Sequence, residues 1–151
     1  MQKNGIHIHT AEIKDLLEHF NHCDEGMKIE VEKHISLIDL SKKFINLATL
    51  YEYWENDLLI GFAAVYENRG IENPAFVGWF SIDTRRQGRG FGSEILQSVI
   101  ASLKSKKYAL LKLYVRKDNS NAMRLYEKFG FSIEKEREDD TNEWVMQLLL
   151  N

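Results

Sequence analysis

The sequence predicts a mixed α/β (α+β) fold, and three observations carry that prediction. Aromatic and β-branched runs of strand length fill residues 49–66 and 75–82. A polar, glycine-rich turn at 83–92 then leads into an amphipathic helix at 93–105. A further strand-like run at 108–115 completes a strand–helix–strand unit, followed by another helix and strands, the element order of an α+β or mixed α/β domain. With 151 residues the chain has the size of one domain, expected to span 1–151. A chain of this length buries about 68–70% of its unfolded surface, enough for a core without disulfides or metal.

In chain order, Thr10 to His22 reads as a helix: Ile13, Leu16, Leu17 and Phe20 fall at helical spacing and Thr10 offers an N-cap. Asp39 to Leu47 places Leu40, Phe44 and Leu47 on one face. Thr49–Glu55 and Leu58–Tyr66 flank Asn56-Asp57 and read as a hairpin. Glu67 to Pro74, with Asn68, Arg69 and Gly70 inside it, reads as a loop. Ala75–Ile82 is the next strand. Ser93 to Ser105 buries Ile95, Leu96, Val99, Ile100 and Leu103 along one stripe, and Tyr108–Val115 is a strand. Asn119 caps a short helix lined by Ala122, Leu125, Tyr126 and Phe129, with Gly130 where a left-handed C-terminal residue is wanted. Phe131–Lys135 and Glu143–Leu150 are the last strands, and the mixed charges of Glu134–Asp140 fit a solvated hairpin.

Composition narrows the function classes. Apolar residues make up 44% and charged residues 28%, as in ordinary globular domains. Twenty basic against twenty-three acidic residues leave −3, too balanced to predict a nucleic-acid partner. Cys23 is the one cysteine, which excludes an internal disulfide and a multi-cysteine metal site. No leader-like apolar stretch lies in Met1 to Thr10 and no run reaches membrane-spanning length, so the expected location is cytoplasmic and no membrane partner is expected. His19 and His22 stand three apart on the first helix, but no third ligand is spaced to join them, and no metal is expected. Cys23 has no histidine or basic partner in sequence to activate it as a nucleophile.

The segment Asp83 to Gly92 carries the chemistry. Glycines at 88, 90 and 92 let the backbone curve tightly and leave successive N–H groups free to converge on an anion. The following helix adds unpaired N–H groups and the positive end of its dipole. The result is a phosphate site that needs neither lysine nor metal, with Arg85, Arg86 and Arg89 adding positive charge. No Gly-Lys pair exists for a P-loop, and the G-x-G-x-G spacing late in the chain does not fit the dinucleotide fingerprint. The alternative is a plain connector, for which three alternating glycines cost needless chain entropy.

Gln87-Gly88-Arg89-Gly90-Phe91-Gly92 resembles the Q/R-x-x-G-x-G/A signature of the GCN5-related N-acetyltransferases, the acetyl-CoA-dependent GNAT superfamily. Phe80-Ser81-Ile82-Asp83 resembles the preceding strand of that family, and Ser93-Glu94-Ile95-Leu96 the start of its helix. About thirty residues on, Asn119 to Phe131 is similar to its N-x-x-A-x-x-L-Y-x-x-x-G-F segment. The resemblance covers about Leu58 to Phe131; Met1–Leu47 matches weakly. It implies a mostly antiparallel central sheet, flanked by about four helices, in which Ala75–Ile82 and Tyr108–Val115 are parallel and splay apart around the cofactor.

The resemblance also implies roles. Gln87, Gly88, Arg89, Gly90, Phe91, Gly92 and Ser93 would hold the pyrophosphate of acetyl-CoA. The backbone around Phe80, Ser81 and Ile82 would pair with the pantetheine arm, and Asn119 and Ala122 would meet it from the splayed side. Tyr126 would be the general acid that protonates the departing thiolate. A thiol near pKa 8.5 and a tyrosine near about 10 lie within reach of proton transfer; the rival reading of Tyr126 is apolar filling beside Leu125 and Phe129. For the base, Glu52, Glu55, Glu67, Glu72, Asp83 and a water chain stay open. Tyr51, Tyr53, Trp54, Trp79 and Phe80 read as sheet packing, with some able to face an acceptor groove. The expected function is transfer of acetyl to a primary amine of a small molecule or peptide, in a bacterial-like enzyme able to form a homodimer. An amino-sugar nucleotide, a ribosomal-protein N-terminus or a polyamine are the acceptor options. The rival class is a non-catalytic acyl-CoA-binding or sensor module.

Overall fold

The computed structural model describes residues 2–67 and 70–151. Met1 of the predicted N-terminal segment, and Asn68 and Arg69 of the predicted loop, lie outside the described residues. Seven strands form a sheet in the order β1 (Gly5–Ile8), β2 (Thr49–Glu55), β3 (Leu58–Tyr66), β4 (Ala75–Ile82), β5 (Leu110–Arg116), β7 (Asp140–Leu149) and β6 (Ser132–Arg137). Neighbours are antiparallel except β4 and β5. Helix α4 (Phe91–Ser105) supplies the crossover that a parallel pair requires. Helices α1 (Ile13–Phe20), α2 (Glu25–Glu32), α3 (Leu37–Leu47) and α5 (Ser120–Lys128) complete the set. The described residues thus carry five α-helices where about four were expected. The extra one is α2, which Asp24 caps through Gly26 N and which buries none of its residues.

Two apolar layers cover the sheet. α4 and α5 pack on one face around Tyr51, Val65, Leu96, Leu111 and Met146. α1 to α3 pack on the other, around Phe20, Phe44, Leu50 and Phe62. The start of α1 differs from expectation. Glu12 is its N-cap, its N–H bonded to the Asp15 carboxylate at 2.9 Å. Thr10 instead gives its backbone N–H (2.8 Å) and hydroxyl (2.6 Å) to Glu52. Ala11 N and Trp54 Nε1, each at 2.9 Å, complete a four-donor shell around that buried carboxylate, tying the β1–α1 junction to β2.

Two irregularities shape the middle of the sheet. β4 and β5 pair only through Ala75–Leu111, Phe76–Lys112 and Val77–Leu113, then part while each strand runs on. On the other side of β4, Val65 faces Val77 and Ala64 faces Trp79, leaving Gly78 as a bulge. The bulge resets the alternation, so that Val77, Phe80 and Ile82 join the α4–α5 layer and Trp79 the α1–α3 layer. A Cβ at Gly78 would stand 2.3 Å from Tyr66 Cε2, so the close approach of that ring depends on glycine.

Candidate active site

The predicted glycine turn lies at the open end of the splay. Leaving β4, the chain passes buried Asp83, whose carboxylate accepts from Arg85 N (2.9 Å), Nε (3.0 Å) and Nη2 (2.7 Å) and from Arg86 Nη1 (3.2 Å). The Arg85 hydrogen bonds hold its pKa at about 2. Asp83 is therefore a fixed anion that orders the turn. Arg86 also reaches Glu55 Oε1 at 3.3 Å. Gly88 and Gly90 adopt φ of +79° and +86°, where other residues are strained, and nothing lies within 4 Å of the Cβ either one lacks. Gly90 is the N-cap of α4, and its carbonyl first accepts from Glu94 N. The N–H groups of Phe91, Gly92 and Ser93 precede that bond and stay outside the helical ladder.

These groups border a cavity of about 620 Å³. Of the residues expected to bind the cofactor, Phe80, Ser81, Ile82, Gln87, Gly88, Gly90, Phe91, Gly92, Ser93, Asn119 and Ala122 line it. Arg89 does not; its side chain stays exposed. Asn119 commits its Oδ1 to Ala122 N (3.1 Å) as the cap of α5 and keeps its NH₂ for other partners. Arg86, expected to add positive charge there, is on the cavity wall, and sequence reasoning missed Asp24, Met27 and Asn121 beside it.

Tyr126 lines a second cavity of about 290 Å³ that shares Met27, Phe80, Asn119 and Ala122 with the first. Its ring meets Phe80 (centroids 6.3 Å apart) and Phe131 (5.6 Å), and burial alone raises its pKa to about 12. Among the described residues no hydrogen bond engages the Tyr126 hydroxyl, and the residue contributes to the lining of this cavity. The aromatic candidates divide. Tyr51 and Trp54 are core, whereas Phe80 lines both cavities and Trp79 the second.

The base candidates read from sequence are engaged elsewhere or exposed. Glu52 is enclosed by its four donors, Glu55 pairs with Arg86, and Asp83 with two arginines. Glu67 binds Tyr51 OH (2.7 Å) and Lys106 Nζ (2.6 Å), and Glu72 is exposed beside Gly70. The carboxylate that does line the second cavity is Glu143, on a strand far from both motifs, bonded to Arg137 Nη1 at 2.6 Å.

Cys23 and His19, unpaired in the sequence reading, stand one helical turn apart with Sγ 3.4 Å from Nε2. His19 Nδ1 donates to the Leu59 carbonyl (3.1 Å), so Nε2 is the acceptor for Ser81 Oγ–H (2.8 Å), while Trp79 Nε1 donates to Ser81 Oγ (2.7 Å). Burial lowers the His19 pKa to about 4 and raises that of the thiol, so this pair is neutral and binds α1 to β4 rather than activating sulfur. Among the described residues no three histidine, cysteine or acidic side chains converge as a metal site, and no helix is long and apolar enough to cross a membrane.

Comparison with known proteins agrees with this geometry. Over 122 residues the chain is 33% identical to the [ribosomal protein bS18]-alanine N-acetyltransferase of Haemophilus influenzae, covering 73% of this chain and 76% of that one. It is also 33% identical over 91 residues to the spermine/spermidine N(1)-acetyltransferase of Bacillus subtilis, covering 56% of this chain and 59% of that enzyme's length. The fold matches the Thermoplasma acidophilum PaiA N-acetyltransferase, solved in complex with coenzyme A, with a TM-score of 0.72 at 21% identity over 96% of this chain and 99% of that one. It matches the Escherichia coli ribosomal-protein-S18-alanine N-acetyltransferase at a TM-score of 0.73 and 19% identity, over 96% and 94%. Residues 13–131 match the acetyltransferase (GNAT) family; the chain belongs to that family, whose acyl donor is acetyl-CoA.

Proposed function

We propose that residues 1–151 form one N-acetyltransferase domain that moves the acetyl group of acetyl-CoA directly to a primary amine of a small-molecule or peptide acceptor, in the cytoplasm. The observation that carries this reading is the placement of Tyr126 in the lining of the second cavity, which shares Met27, Phe80, Asn119 and Ala122 with the cavity at the glycine turn. The residues present fit the donor: free N–H groups at Phe91, Gly92 and Ser93, two left-handed glycines and Arg86 surround a cavity of adequate size.

Acetyl-CoA supplies an activated thioester carbonyl when bound. Gln87 to Ser93 bind the pyrophosphate by backbone donors. Beyond Val77 the β5-facing edge of β4 has no strand partner, so the backbone at Phe80, Ser81 and Ile82 is free to hold an extended arm and to donate to an oxygen that gains charge. Asn119 and Ala122 close the opposite wall. Tyr126 keeps its proton at any physiological pH and delivers it to the leaving sulfur. The separation from an ordinary thiol exceeds the sequence-based value, but a sulfur drawn into the same desolvated cleft is raised as well, which restores the match. With Glu143, the carboxylate that lines the second cavity, paired to Arg137, the amine sheds its proton to water on the open side of that cavity.

Thermal melting with acetyl-CoA, set beside AMP, tests the donor. At about 100 times Kd the expected stabilisation is about 2.7 kcal/mol, or roughly 5–11 °C in Tm for a chain of this size. Release of free thiol on adding amines then separates an enzyme from an acyl-CoA sensor, which would bind without turnover. No shift at millimolar acetyl-CoA overturns the reading.

A further inference from the structure

A third cavity, of about 550 Å³, lies on the α1–α3 side of the sheet and meets the second cavity at Tyr114, which lines both. Its floor is aromatic: the Phe76 and Tyr114 rings pack edge to face with centroids 4.7 Å apart, and Tyr66 stands beside them. Its charged lining residues are Lys43, Lys112 and Lys135, with no carboxylate among them. Lys112 pairs with Glu134 (2.8 Å) and Lys135 with Glu138 (3.3 Å), both outside the lining, while Lys43 makes no ion pair among the described residues.

The sheet register sets the distances. Lys112 precedes Tyr114 by two residues on β5, about 7 Å along the strand. Lys135 and Tyr114 both face Val145 across β7, which separates them by about 10 Å. Resting on the acetyltransferase reading, we propose that the acceptor is a small primary amine carrying an anionic group, phosphate or carboxylate, that lies about 7–10 Å beyond Tyr114, where the lysines stand. The amine lies in the splay beside Tyr126, the body on the Phe76–Tyr114 floor, and the anion among the lysines. A polyamine placed along this path would meet Glu143, already paired with Arg137, in the second cavity, and would set its further ammonium groups against three lysines in the third, whose lining has no carboxylate.

The test is equilibrium binding to the full chain with CoA present, followed through backbone amide resonances. The probes are glucosamine 6-phosphate, the dipeptide Ala-Asp, uncharged-tail glucosamine and spermidine. At least one anionic amine is expected to bind about tenfold or more tightly than glucosamine and spermidine, with shifts at 76, 112, 114 and 135; the tighter of the two names the anion. Lys112→Gln and Lys43→Gln should remove that preference, and an acetyl-CoA-dependent rise in Tm shows that each variant is folded. Equal or tighter binding of glucosamine or spermidine, no binding by either anionic amine, or a preference unchanged by both substitutions, overturns the proposal. Thiol release in the same samples separates the two claims. Anion-selective binding without turnover refutes only the enzyme, and turnover of spermidine alone refutes only the acceptor class.

Discussion

Acid should weaken this fold through one residue before the carboxylates respond. His19 is fully buried, its ring held between the Leu59 carbonyl and the Ser81 hydroxyl, and burial disfavours its charged form. Its pKa falls from 6.5 to about 4 in the folded state. Between those values the unfolded chain takes up a proton that the folded chain refuses, so stability is full above pH 6.5 and declines as pH drops toward 4. Going from pH 7 to 4.5 costs about 2–3 kcal/mol from this group alone, at 1.36 kcal/mol per pK unit. Asp83 acts in a lower window: its pKa is depressed from 3.8 to about 2, so its contribution is present above 3.8 and disappears below that. Urea unfolding of wild type and His19→Gln at both pH values isolates the histidine. The wild-type chain should lose about 2–3 kcal/mol more than the variant between pH 7 and 4.5. Equal losses in the two proteins would refute the argument.

Three further outcomes follow from the geometry. Tyr126→Phe should lower kcat about 10²–10⁴-fold, the usual worth of a positioned acid, with acetyl-CoA affinity by calorimetry nearly unchanged; an unaltered kcat removes Tyr126 from the chemistry. Gly90→Ala forces a side chain into φ +86°, which should cost about 1–2 kcal/mol in chemical denaturation and weaken acetyl-CoA binding by displacing the first N–H groups of α4. Glu52→Ala strips four donors of their acceptor and should destabilise by about 3–5 kcal/mol; a loss below 1 kcal/mol would show that water replaces the carboxylate.

The elements legible in sequence are those whose local chemistry and burial agree. β2, β3 and β4 fall on their expected bounds because aromatic and apolar runs end at Asn56-Asp57 and at polar turns. Asn119 and Gly130 announce both ends of α5 by cap chemistry, and Gly130 adopts φ +98°. α2 escaped because no residue of it is fully buried and only Met27 and Val31 pack partly against the core, too few to mark a stripe. β1 escaped because four residues at a sheet edge are too few for a periodic signal. At the site, the glycine turn is a contiguous motif and readable as such. Met27, Tyr114 and Glu143 reach the cavities through tertiary folding from three separate elements, with no local pattern to mark them. The role of Glu52 was equally hidden: a glutamate in an aromatic strand gives no sign of whether it meets water or four donors.

Net charge says little about what such a pocket prefers. At −3 the chain as a whole repels anions weakly, yet beyond about 8 Å salt screens most of that field. A bound ligand responds to the groups around it. The donor cleft gathers positive potential from backbone N–H groups and the start of α4, which no count of charged residues includes, with Arg86 beside them. The third cavity gathers it from lysine side chains a quarter to a half open to solvent. The two should answer differently to salt. Enclosed backbone donors contact their ligand directly and are screened little, whereas exposed ammonium groups lose most of their attraction. Raising ionic strength from about 0.05 to 0.5 M should therefore raise the KM of an anionic acceptor several-fold more than that of acetyl-CoA. Parallel salt dependence of the two KM values would mean that the lysines do not contact the acceptor.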